Sequence, residues 1–181
     1  MKYRRRTVLG ILGSLPAVLL MSACQSAPQA APAASAGPAA AKLFLAVDMV
    51  QGSKNVPSDR KAISCTLASR FARNSEMVWR ARVYDPSSGD LVDGPAMDKV
   101  QVKLANGQTL DAVYGTHPKD PPGEAFWTAS WVIPKDHPTG TLSYQVTATD
   151  KKGRTAEWKP FSTAPSLPVV LDEVWPDVAA R

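Results

Sequence analysis

From Glu76 to Tyr84 the chain reads EMVWRARVY and from Asp98 to Leu104 DKVQVKL, and in both stretches apolar and polar side chains take turns. A period of two belongs to a strand with one buried and one wetted face, because successive side chains of an extended backbone point to opposite sides. The alternation assigns Met77, Trp79, Ala81 and Val83 to a core face and Arg80, Arg82 and Tyr84 to an outer one. Val100, Val102 and Leu104 alternate with Lys99, Gln101 and Lys103 in the same way. The outward basic residues read as a solvated face before a partner-binding stripe. Turn residues cut the pattern at short intervals, and helical spacing of apolar residues is not seen. The expected strands are 42–50, 61–68, 76–84, 98–104, 108–114, 125–133, 141–149 and 154–162. Asp85-Pro86-Ser87-Ser88-Gly89-Asp90 opens a loop, Asn106-Gly107 is a tight-hairpin signal, and Asp150-Lys151-Lys152-Gly153 closes another hairpin. Residues 42–181 are therefore expected to form one all-β domain, long enough to bury a substantial core.

The N-terminus carries an address. Lys2, Arg4, Arg5 and Arg6 precede an uncharged, mostly apolar run from Thr7 to Ala23 that ends in small residues. These are the basic, hydrophobic and cleavage regions of an export signal over 1–23. The run is short for a transmembrane helix, which needs about 20 apolar residues. Arg5-Arg6-Thr7-Val8-Leu9 resembles the twin-arginine export signal, whose cargo crosses already folded. The alternative is the basic segment of a general secretory signal. Leu20-Met21-Ser22-Ala23-Cys24 resembles a bacterial lipoprotein box, with Met21 where a branched aliphatic residue is usual. That resemblance implies an acylated Cys24 as the new N-terminus and a membrane-anchored protein on the periplasmic side of the envelope. Gln25, rather than aspartate, follows it, which by resemblance to enterobacterial lipoproteins permits passage to the outer membrane.

Removing residues 1–23 takes away 4 of the 21 basic residues and none of the 16 acidic ones, leaving 17 basic against 16 acidic. The whole-chain pI near 9.3 therefore gives no warrant for nucleic-acid binding, which draws on excess positive charge. Residues 24–41 follow as Cys24 and QSAPQAAPAASAGPAAA, with no charge and no aromatic. Such a stretch cannot bury enough area to offset ordering, and Pro28, Pro32 and Pro38 interrupt any helix, so it reads as a flexible tether. At about 5 to 6 Å times the square root of its length it holds a domain some 20 to 25 Å from an anchor.

Ile63-Ser64-Cys65-Thr66-Leu67, then Trp79 on the next strand, then Pro138-Thr139-Gly140-Thr141-Leu142-Ser143-Tyr144-Gln145-Val146 resemble the immunoglobulin-like β-sandwich. In that family a strand-B cysteine packs beside a strand-C tryptophan, and a tyrosine two residues before a second cysteine makes a corner hydrogen bond. Val146 stands at the second cysteine position, so the resemblance implies a sandwich without the intersheet disulfide, as in cadherin-like and fibronectin type III relatives. It also implies that Cys65, Trp79 and Tyr144 are structural core residues. Thr147-Ala148-Thr149-Asp150-Lys151-Lys152-Gly153-Arg154-Thr155 is similar to the penultimate hairpin of bacterial immunoglobulin-like modules.

The only cysteines are Cys24 and Cys65. Acylation of the first leaves Cys65 alone, on a strand face shared with Ile63 and Leu67, where it behaves as a small buried hydrophobe. A disulfide between the two is the alternative if Cys24 is not acylated. His117 and His137 fall in loops before and after the strand at 125–133, about 30 Å apart at 3.3 Å per residue, which rules out shared coordination of one ion. Neither lies near a Gly-x-Ser-x-Gly turn, and the chain lacks a phosphate loop, a His-Glu-x-x-His and paired-cysteine zinc spacing. No catalytic residues, cofactor or metal are assigned, and the chain is expected not to be an enzyme.

Three functional readings remain. The first is a non-catalytic binding module held at the envelope, acting through loops or a sheet face on another envelope or exported protein. The second is an accessory subunit of an exported redox or metal enzyme. The third is a binder of sugars or aromatic compounds using some of Trp127, Trp131, Trp158 and Trp175, although Trp127, Ala129, Trp131 and Ile133 share one strand face and read as core. An up-and-down path gathers loops 51–60, 85–97, 115–124 and 150–153 at one end, and loops on a rigid sandwich commonly carry recognition. The candidate binding residues there are His117, Asp120, Glu124, Asp150, Lys151 and Lys152. The carboxylates at that end lack the ligand spacing of a calcium loop.

Overall fold

The computed structural model describes residues 42–117, 123–160 and 167–177, and the export signal, Cys24, the tether and Asp120 lie outside them. Among the described residues the strands are β1 (Phe44–Gln51), β2 (Arg70–Arg73), β3 (Glu76–Tyr84), β4 (Met97–Leu104), β5 (Thr109–Asp111), β6 (Val113–His117), β7 (Glu124–Val132), β8 (Gly140–Thr141), β9 (Tyr144–Asp150), β10 (Thr155–Trp158) and β11 (Val169–Val174). They form one sheet in the order β1-β3-β7-β6, a second in the order β10-β9-β4-β5 and a small third in the order β2-β11-β8. All pairings are antiparallel except β11 with β2.

The alternation of the sequence is what closes the sandwich. Met77, Trp79, Ala81 and Val83 of β3 and Trp127, Ala129 and Trp131 of β7 form one apolar cluster with Val100, Val102 and Leu104 of β4 and Tyr144, Val146 and Ala148 of β9. Two sheets burying their inner faces in a shared core make an all-β sandwich. The strand order matches the immunoglobulin-like arrangement A-B-E-D against G-F-C, with β5 as the added strand. Asn106-Gly107 turns β4 into β5, with Gly107 at φ 88°.

Two expectations tied to Cys65 are corrected. Residues 61–68 are not a strand: Ser58–Ile63 form a 3₁₀ turn after Pro57, and the thiol of Cys65 is exposed, not core. Cys65 takes a left-handed backbone, φ 64°, so no strand can run through it. Beyond it the chain does extend along the free edge of β1: Cys65 and Ala68 donate to the carbonyls of Gln51 and Met49, and Gln51 donates to Thr66. Trp79 accordingly sits on the second major strand of the first sheet, not beside a strand-B cysteine. Trp79 and Tyr144 are both buried in the shared core, but the corner hydrogen bond does not form, because the Tyr144 Oη has no partner.

The third sheet was not anticipated. Its strand β2 comes from 69–75, expected to be a loop between strands 61–68 and 76–84, and β11 comes from the C-terminal extension that follows the last expected strand, 154–162. Trp175 packs with Val56 and Ala72, and Asn74 Nδ2 donates to the Trp175 carbonyl at 2.8 Å. Arg73 holds Asp172 at 2.8 Å and Arg60 holds Glu173 at 2.6 Å, so the extension is pinned by side chains on both flanks.

Candidate binding face

The outer face of the first sheet carries a groove of about 610 Å³. Strand register explains its floor. Leu67, Val50, Val78 and Ser130 lie side by side on one rung, because Val50 bridges Leu67 and pairs with Val78, which pairs with Ser130. The next rung is Asp48, Arg80, Thr128 and Val113. Side chains directly opposite one another on a sheet face are neighbours, so Val50, Val78, Ser130, Thr128 and Val113 make a valine, threonine and serine band across four strands, with the Asp48–Arg80 ion pair on its second rung and Leu67 outside the groove lining. Cys65, Gly52 and Ser53 line one side of the groove, and Val113 and His117 the other.

The charges around this band are matched locally. Arg80 Nε donates to Asp48 Oδ1 at 2.6 Å, and Arg82 pairs with Glu124. Both guanidinium groups lie over the ring of Phe126, 4.7 and 4.3 Å from its centroid, which buries an apolar ring on the outer face. The basic stripe read from β3 is thus engaged by its own neighbours. At the other end of the groove the buried Glu76 accepts from the Lys54 amide at 3.1 Å and pairs with the Lys54 ammonium at 3.3 Å. Gly52 donates to the Glu76 carbonyl at 2.7 Å, and a Cβ on Gly52 would stand 2.7 Å from that of Glu76.

The loop end proposed from sequence assembles in part. β3 ends where β4 begins, β6 ends at His117 opposite Glu124 at the start of β7, and the 150–154 hairpin joins them, so loops 85–96 and 151–154 share one end with His117 and Glu124. Residues 52–60 do not: they lie at the other end with 133–139, because Gln51 pairs with Met77 at the start of β3. His117 pairs in register with Glu124, while His137 packs edge-on to Trp131, 5.1 Å between centroids. Seven residues of β7 separate those partners, roughly 23 Å at 3.3 Å each, which keeps the two histidines apart.

Asp150 does not serve as a free binding group. It is buried, accepting from the Lys152 and Arg154 amides at 2.9 and 2.8 Å and from Arg154 Nε at 2.7 Å. Arg154 reaches on to Asp85 at 2.5 Å, tying the hairpin to the loop after β3. Burial alone would raise the Asp150 carboxyl, but the Arg154 guanidinium and the two amides outweigh it and hold it below the usual range. Hydrogen bonds from Ser87 and then Arg154 hold Asp85 far below that range. Glu124 is engaged by Arg82, Lys151 and Lys152 are exposed at the hairpin tip, and His117 is exposed beside the groove. Among the described residues no three His, Cys, Asp or Glu side chains converge as a cation site.

Sequence reading missed the groove residues Val50, Val78, Val113, Thr128 and Ser130. The available signal was Val78, an apolar residue at an outward position between Met77 and Trp79. Comparison of the chain with protein-family models and with curated proteins finds no match.

Proposed function

We propose that the chain is a non-catalytic binding module, exported and held at the periplasmic side of the envelope by lipid at Cys24, that grips another envelope protein through the outer face of its first sheet. The observation that carries this reading is the groove: a valine, threonine and serine band whose charged members, Arg80 and Glu76, are already paired with Asp48 and Lys54. Loops at the far end are less suited, since Asp85, Asp150 and Arg154 satisfy one another. The address motifs at Arg5-Arg6 and at Leu20 to Cys24 support the location.

The test is recovery of cross-linked partners from the chain's own envelope. Ser130 is exposed on the groove floor, so Ser130→Arg blocks the band without disturbing the core. Recovery should fall at least about tenfold, equivalent to about 1.4 kcal/mol, whereas Lys151→Ala with Lys152→Ala should leave it unchanged. The reverse pattern would return recognition to the loop end.

A further inference from the structure

The edges of the sandwich are unequal. The far edge of β1 is covered by Cys65 to Ala68, and Leu43 just before it bonds to Thr155. β5 and β10 are three and four residues long, β8 is two, and β2 carries Arg70 and Arg73. β6 is different. Its five residues, VYGTH, pair with β7 in unbroken register, contain no Lys, Arg, Asp, Glu or Pro, and have no strand on their other side among the described residues. Proteins ordinarily blunt such an edge with charge, proline, a bulge or a cover.

The surroundings of β6 also leave room. Val113 is 71% exposed, and nothing stands within 4 Å of where a Gly115 Cβ would be. A shallow cavity of about 520 Å³ follows the strand and shares Val113, His117 and Thr128 with the groove on the sheet face.

We propose that β6 is a strand-acceptor edge: an extended, uncharged segment of a partner protein pairs with Val113–His117 as a fifth strand and lays alternate side chains over the groove. This deepens the binding-module reading and rests on it. Unpaired amides and carbonyls of the edge supply the hydrogen bonds, and the groove supplies specificity for every second side chain. The segment is uncharged because Arg80 and Glu76 already have Asp48 and Lys54, so a further charge would be desolvated without a counter-ion. A second copy is the weaker occupant. β6 against β6 joins five residues a side, while stable interfaces use roughly 20 to 30.

Phage-displayed peptides of about six to ten residues, ordinary strand lengths, panned against the full chain supply the probe. Enriched sequences should be uncharged and proline-free, with alternating apolar residues. A synthetic representative should slow amide exchange at 113–117, and its affinity should fall at least about tenfold in Val113→Lys. That side chain is exposed, so the thermal midpoint should not move, and Thr116→Lys, also exposed, serves if the first variant misfolds. No enrichment, charged winners, protection elsewhere or indifference to both lysine variants would each overturn the proposal. Concentration-dependent dimerisation abolished by Val113→Lys would replace the partner segment with a second copy. If these fail while Ser130→Arg still abolishes partner recovery, strand addition is wrong and the binding face stands.

Discussion

Tyr144 and Trp79 face one another in the core, 5.5 Å between ring centroids, and neither the phenol oxygen nor the indole nitrogen has a hydrogen-bond partner. Burial pushes the Tyr144 phenol well above its usual value, and its approach to Trp79 offsets that only in part. A buried hydroxyl left unsatisfied is a net cost, so Tyr144→Phe should stabilise the fold by about 1 kcal/mol, read as a higher urea midpoint. The folded phenol binds its proton more tightly than the unfolded one, so its contribution is full below pH 10 or so and is lost as pH rises beyond. Tyr144→Phe should remove that alkaline loss. Trp79→Ala should cost about 3 to 5 kcal/mol through lost area and a residual cavity, and an unchanged midpoint would refute its core role. Gly52→Ala should cost about 1 to 3 kcal/mol by driving a methyl group into Glu76. Position in the core was legible for Trp79 from alternation, and for Tyr144 from the resemblance to the immunoglobulin-like pattern. The missing partner was not, since it depends on which backbone carbonyls reach the phenol in three dimensions.

At the scale of elements, β3, β4 and β7 were legible to within a residue, because their inner residues are apolar and their flanks carry turn chemistry. Residues 61–68 misled because Ile63, Cys65 and Leu67 alternate as a strand would. Proline at 57 and the left-handed turn at Cys65 override that pattern, leaving Leu67 exposed. β2 and β11 were hidden because four residues with two arginines carry little periodicity, and their pairing spans about a hundred residues of sequence. The 150–154 hairpin was found but its chemistry was misjudged: Asp150 is consumed by its own turn and by Arg154. Asp85 and Asp150 both titrate below their ordinary value, so their stabilisation is complete above about pH 4 and is lost as pH falls through the folded values. Arg154→Ala removes the guanidinium from both carboxyls. Acid unfolding followed by circular dichroism should then begin at a higher pH than in the parent, and an unmoved acid limb would show that the hub does not link loop and hairpin.

For the whole molecule, the outer face of the first sheet is the feature sequence hid most completely. A groove depends on which outward residues of neighbouring strands fall on one rung, and Val50, Val78 and Ser130 become neighbours only once register is set. The proposed division of labour between anchor and domain rests on sequence alone, because export signals and tethers act through local composition. The cluster that holds the sandwich together runs from Leu43 to Val170, and Leu43 is itself buried and bonded to Thr155. Stability of the sandwich is therefore expected to be separable from anchoring at Cys24. Cys24→Ser should move the chain from the membrane pellet to the soluble fraction of lysed cells while its thermal midpoint stays that of the parent. A variant that remained in the pellet would place the anchor elsewhere, and one that lost stability would mean that Cys24 contributes to the fold, as a bond to the exposed thiol of Cys65 would. Adding Cys65→Ser separates those two outcomes, since it should change nothing in a lipidated chain and should reproduce the loss in a disulfide-bonded one.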